Sequence, residues 1–147
     1  MWAEESMVYQ IYPLGMCGAP FENDGVLEHR IQKVNDWIPH IKSVGANAIY
    51  FSPVFESDTH GYNTRDYTKI DTRLGSNGDF AQVCENLHKE GIKVVLDGVF
   101  NHVGRGFWAM WMAICVSPPW ATPCLTARIA VIILLPSSIP KSFLATR

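Results

Sequence analysis

The sequence predicts an α/β fold built on a parallel sheet. Three observations carry that reading. Short apolar runs rich in β-branched or aromatic residues stand at residues 8–12, 46–51 and 94–96, with the length and composition of strands. Between them lie two stretches whose apolar residues recur at helical spacing. Strand, helix, strand, helix, strand is the order that gives parallel strands joined by right-handed crossovers.

The first strand, Val8-Tyr9-Gln10-Ile11-Tyr12, is stopped by Pro13, and residues 14–25 form a loop punctuated by Gly15, Gly18, Pro20, Asn23 and Gly25. Val26, Leu27, Ile31, Val34, Ile38, Ile41 and Val44 then mark a helix ending at Gly45. Pro39 inside it removes a backbone donor and is expected to kink or restart the helix. The second strand ends at Ser52-Pro53, and residues 54–78 read as one long loop dense in Asp, Thr, Gly and Asn. Loops of that length are usually functional or disordered. In it Glu56, Asp58 and Asp71 are most simply solvated charges. Phe80, Val83, Cys84 and Leu87 predict a second helix over residues 79–90, capped by Asn77 or Asp79 and followed by Gly91. The third strand, bounded by Gly91 and buried on both faces, runs straight into Asp97, Asn101 and His102. The carboxyl ends of parallel strands are where sites are built.

Composition narrows the function classes. A formal net charge of −2 gives no reason to invoke nucleic acid or an acidic membrane surface. Cys17, Cys84, Cys115 and Cys124 show no C-x-x-C spacing, which argues for free buried thiols rather than a zinc or redox site. The acidic start, Met1-Trp2-Ala3-Glu4-Glu5-Ser6, lacks the layout of a signal peptide, so a cytoplasmic location is expected. All 14 acidic residues lie at or before Asp97. An ordinary domain carries roughly a quarter charged residues of both signs, so residues 98–147 do not read as a continuation of the same domain.

Leu96-Asp97-Gly98-Val99-Phe100-Asn101-His102 resembles the first sequence motif of the α-amylase family, glycoside hydrolase family 13. In that motif Asp, Asn and His follow the third barrel strand. Thr59-His60-Gly61-Tyr62-Asn63-Thr64-Arg65-Asp66-Tyr67 resembles the same family's loop after the second strand. Two motifs in order make the signal specific, and the Asp-Gly-Val-Phe-Asn-His wording is similar to the neopullulanase and cyclomaltodextrinase side of the family.

The resemblance implies a partial (β/α)8 TIM barrel, about its first three βα units, over residues 1–108, with an irregular tail at 109–147. A complete barrel typically needs ~250 residues. The parent activity it implies is retaining hydrolysis of α-glucosidic bonds in maltodextrin or starch-type glucans. Tyr62 matches the aromatic beneath the sugar at the cleavage subsite, a ring face suited to the C–H surface of a pyranose. His102 matches a histidine that hydrogen-bonds the same sugar. Asp97 matches an acid that pairs with an arginine of a later motif, Asn101 a position that supplies a calcium ligand in many members, and Arg65 and Asp66 support the loop. Calcium takes roughly six to eight oxygen ligands, a set this sequence does not assemble, so calcium is left open as a cofactor.

Retaining hydrolysis uses two carboxyl groups ~5–5.5 Å apart. In the family these follow later strands, whereas here no Gly-x-Arg-x-Asp motif occurs and no carboxylate side chain follows Asp97. The expectation is therefore a sugar-holding piece without its nucleophile and acid/base, inactive by itself. Residues 109–147 read as an aberrant apolar tail from a frameshift or truncation, with neither of its apolar runs reaching the ~20 residues of a membrane span. An uncovered sheet edge would favour self-association. A non-catalytic glucan-binding or regulatory fragment is the alternative. A doubly wound nucleotide-binding domain is disfavoured, because Tyr12-Pro13-Leu14-Gly15 stands where a Gly-x-Gly-x-x-Gly turn would be needed.

Overall fold

The computed structural model describes residues 2–108 and 130–134. Strand β1 (Val8–Ile11) leads through Tyr12 into a single helical turn, α1 (Pro13–Met16), with Pro13 at its first position. There its missing N–H costs nothing, because the first amides of a helix have no partner within it. Helix α2 (Val34–Ser43) carries the chain to β2 (Ala48–Phe51), and α3 (Asn77–Lys89) carries it to β5 (Lys93–Val99). The three strands β1, β2 and β5 pair in parallel, with Ile11 opposite Phe51 and Phe51 opposite Leu96.

That register sorts the side chains. Ile11, Ile49, Phe51, Val94 and Leu96 point to the helix side and join Ile38 and Ile41 of α2 and Phe80, Val83 and Leu87 of α3 in one core. Phe51 and Phe80 meet edge to face, ring centroids 5.5 Å apart. The alternate positions Gln10, Tyr50, Val95 and Asp97 lie on the opposite face of the sheet. The Gln10 amide donates to Ser52 Oγ there at 3.2 Å. Cys17 and Cys84 are buried free thiols, whereas Cys115 and Cys124 lie outside the described residues. Among the described residues no helix is long and apolar enough to cross a membrane.

Four sequence expectations are corrected. The first helix does not begin at Val26: residues 26–29 are irregular, a 3-10 turn spans Arg30–Lys33, and α2 starts only at Val34. Val26 and Leu27 are exposed, so their apolar spacing continued the helical period without a surface to bury it. Pro39 sits within α2 without ending it. Second, the cap of α3 is Ser76, in a reciprocal capping box with Asp79, which is therefore the box partner and not the cap.

Third, residues 54–78 are not one loop. They contain an antiparallel hairpin, β3 (Phe55–Ser57) with β4 (Thr64–Ile70), whose register shifts on either side of Glu56. Thr, Tyr and Ile in β4 are good strand formers, but the Asp, Asn and Gly around them gave the segment the look of a loop. Fourth, two of the three acids expected to be solvated, Glu56 and Asp71, are buried. Asp71 is fully buried against Arg73, and Glu56, 8% exposed, accepts from Asn23 Nδ2 at 2.9 Å and the Thr72 amide at 2.8 Å. Asp58 is ion-paired with Arg65.

Strand β6 (Ala130–Leu134) pairs antiparallel with β5, so the β5 edge expected to be bare is covered. An uncharged, β-branched run meets the unpaired backbone groups of that edge in the way strand pairing requires. The outer edge of β1 carries no strand among the described residues. The reading of the remainder of 109–147 as an aberrant apolar tail falls outside the described residues.

Candidate functional site

The carboxyl ends of β1, β2 and β5 lie side by side, and side chains from each converge there. Tyr50 of β2 occupies the same sheet face as Asp97 of β5, one strand over and two residues down the register. Burial pushes the Tyr50 phenol up to about 12, aided by its hydrogen bond to the Asp97 carboxylate, by the charge of Asp97 and by Tyr62. Tyr12, just past β1, has its phenol raised by burial, which outweighs a lowering by Arg73, and Tyr62 adds to the rise.

Tyr62 is presented by a turn that needs glycine. Gly61 has φ +94°, and a Cβ there would lie 3.3 Å from both Cβ and the carbonyl oxygen of Pro53. The close approach seats the turn on Pro53 and Leu14. Tyr12 Oη donates to the His60 carbonyl at 3.1 Å, and the Tyr62 amide donates to His60 Nδ1 at 3.2 Å. The Tyr62 ring itself is 39% exposed, with the His60 ring tilted beside it at 5.9 Å. An accessible aromatic face backed by fixed hydrogen bonds is suited to the apolar face of a sugar.

Asn101 and His102 occupy the loop after β5. The His102 side chain is exposed, Asn101 is half-buried, and among the described residues no hydrogen bond joins the His102 imidazole to Tyr62 or Asp97. The structure therefore sets Tyr50 and Asp97 on one face of the sheet, Tyr62 on the turn held to Tyr12 through His60, and Asn101 and His102 on the loop after β5. Arg65 pairs with Asp58 across the hairpin. Asp66 Oδ1 accepts from the Thr68 amide at 2.8 Å and its hydroxyl at 2.6 Å, which makes it a local brace of β4. No group of three or more His, Cys, Asp or Glu side chains able to hold a metal forms among the described residues. Asn101 thus has no charged ligand set around it, and nothing in the site chemistry is assigned to calcium.

Beneath the site lies a polar network that sequence reasoning missed. The fully buried Arg73 donates from Nε to Asp71 Oδ1 (2.8 Å) and from Nη2 to Asp71 Oδ2 (2.7 Å) and Ser57 Oγ (3.0 Å). Its Nη1 donates to the carbonyls of Pro20 (2.9 Å) and Phe21 (2.7 Å). Every guanidinium N–H is used, which ties the loop after α1 to the base of the hairpin. Tyr12 and Tyr50 were also missed. The signal for Tyr50 was the period of two: it shares parity with Asp97 once the strands are placed in register.

Residues 10–113 match the catalytic domain of the α-amylase family. Neopullulanase 2 of Thermoactinomyces vulgaris is 34% identical over 125 residues, which cover 74% of this chain and 21% of that protein. Oligo-1,6-glucosidase of Bacillus sp. (strain F5) is 39% identical over 103 residues, covering 69% and 19%. Among solved structures, the ligand-free cyclic α-maltosyl-(1→6)-maltose hydrolase of Arthrobacter globiformis superposes with a TM-score of 0.63 at 33% identity, over 77% of this chain and 29% of that one. The chain thus spans about a fifth of the length of the curated relatives it matches. By its matched domain and its parallel α/β architecture, this chain belongs to the α-amylase family of glycoside hydrolases.

Proposed function

We propose that the chain holds an α-glucan or maltodextrin at the carboxyl ends of its parallel strands, as about the first three strand–helix units of a retaining glycoside hydrolase barrel, and that it does not cleave the sugar by itself. The observation that carries the reading is an exposed Tyr62, fixed through His60 to Tyr12 at the end of β1, beside strand ends on which Tyr50 and Asp97 share one sheet face. In this reading the Tyr62 face stacks on a pyranose and the His102 imidazole hydrogen-bonds its hydroxyls. Tyr50 supplies Asp97 with the partner that an arginine supplies in the family pattern.

The carboxylates support a chain that does not cleave. Asp71 is paired with the buried Arg73 and Asp58 with Arg65. No further acid follows Asp97 in the sequence. A retaining mechanism uses one carboxylate as nucleophile and one protonated carboxyl as acid, and in this reading the chain supplies no such pair.

Calorimetric titration of the intact chain with maltoheptaose, beside a reducing-sugar assay, tests both halves. Binding is expected, weakened about fivefold to tenfold by Tyr62→Ala, with no reducing sugar released. No heat at millimolar maltoheptaose would remove the glucan-holding reading. Release of reducing sugar by the purified chain would remove the claim that it does not cleave.

A further inference from the structure

We propose that Tyr67 is a positioning residue: it sets where the loop after β5 presents His102, and through that loop it sets the strength of sugar binding. The inference rests on the reading that this chain holds an α-glucan. Its basis is one side chain placed between two elements of the site. Tyr67 leaves the hairpin strand β4 and its hydroxyl donates to the carbonyl of Val99, the last residue of β5. The same hydroxyl lies 3.4 Å from the carbonyl oxygen of His102. A phenol has one proton, so the Val99 bond is the main one and His102 the weaker second branch. The two carbonyls bracket the turn that carries Asn101.

The ring of Tyr67 is held as firmly as its hydroxyl. Phe55 of β3 meets it at 5.8 Å and 65°, Phe107 at 5.9 Å and 73°, and Phe100 at 5.1 Å and 34°. Phe100 and Phe107 flank the loop that bears His102, so the ring grips the loop from both ends. Two glycines let the loop lie flat on the hairpin. A Cβ at Gly104 would stand 2.4 Å from the Asn63 carbonyl oxygen, and one at Gly106 would stand 2.8 Å from Arg65 Nε. The Gly104 amide donates to the Thr64 carbonyl at 2.8 Å.

The His102 side chain is exposed. An exposed ring takes little of its position from packing, so its place is set by its backbone. Among the described residues, the hydrogen bonds that tie the backbone of this stretch to the hairpin come from Tyr67 and the Thr64 carbonyl. Tyr67 therefore couples the hairpin that presents Tyr62 to the loop that presents His102.

The test uses the intact chain and Tyr67→Phe, which keeps the ring contacts and removes only the hydroxyl. Amide hydrogen exchange is expected to rise about fivefold in residues 101–104, as for loss of one net hydrogen bond, while amides of β2 are unchanged. Unaltered exchange at 101–104 overturns the proposal, whether or not the chain binds sugar. Maltoheptaose titration of Tyr67→Phe, His102→Ala and the double variant supplies the second arm. Affinity is expected to fall about fivefold in Tyr67→Phe and to change no further when His102 is already absent. An equal further loss in the His102→Ala background would show that Tyr67 acts elsewhere and overturn the proposal. If the wild-type chain binds no maltoheptaose, the glucan reading fails by itself, and the exchange result still decides whether Tyr67 holds the loop.

Discussion

Arg73 and Asp71 form a bidentate ion pair with neither side chain exposed to solvent. Removing one member of such a pair leaves a buried charge without its partner, which typically costs about 3–5 kcal/mol. Arg73→Met and Asp71→Asn are each expected to lower unfolding free energy by about that amount, read from urea midpoints. The double variant Arg73→Met/Asp71→Leu is expected to lose less than the sum of the single changes, because no charge is then stranded. Additive losses would show that the two groups are not coupled.

The N-terminus of α3 is expected to respond to acid. Burial raises the Asp79 carboxyl, but bonds from the Ser76 side chain and amide and the neighbouring His29 outweigh it and hold the group at about 2. His29 Nδ1 lies 2.8 Å from Asp79 Oδ2. A folded-state value below the unfolded one contributes stability that is fully present above about pH 4 and lost as the pH falls toward 2. Asp79→Ala is expected to cost about 1–2 kcal/mol at pH 6, and the gap from wild type is expected to narrow progressively below pH 4. A gap constant down to pH 2 would contradict the assignment.

Gly61→Ala is expected to disturb the Tyr62 turn. It would place a Cβ at φ +94° and 3.3 Å from the Pro53 backbone, which does not move freely. A loss of about 1–2 kcal/mol is expected from the left-handed conformation and the contact together. Thermal melting measures the stability, and quenching of tyrosine fluorescence by iodide measures whether Tyr62 has moved.

The thiols of Cys17 and Cys84 are expected to be inert in the folded chain. Burial pushes them up to about 11 and about 12, and the thiolate is the reactive form. Peptide mapping after iodoacetamide treatment at pH 8 should find both unmodified without denaturant and both modified in urea. Labelling of either in the native chain would show that its pocket opens.

The strands were legible because each is a short apolar run, and Val94 to Leu96 needed nothing more than its own composition. The starts of helices were less legible. Val26 and Leu27 fit the helical period but cover no core, and what began α2 was the surface offered by β1 and β2. The hairpin was hidden for a related reason. Thr64 to Ile70 has strand-forming residues, yet its partner Phe55–Ser57 is too short to announce itself, and pairing is a property of two segments rather than one.

The sequence by itself determined the parallel α/β order, the family, and the residues Tyr62, Asp97 and His102 as candidates, because periodicity and motif wording are local. Only the tertiary structure decided which acids are free and which are spent. Asp71 and Glu56 look like solvated loop charges in one dimension, but folding buries Asp71 with its near neighbour Arg73 and with Ser57 from across the hairpin, and carries Asn23 to Glu56 from 33 residues away. It likewise set Tyr50 on the sheet face of Asp97 and brought the Tyr67 hydroxyl to the carbonyls of Val99 and His102. A burial environment and a hydrogen-bond partner are set by long-range packing, and no spacing along the chain contains them.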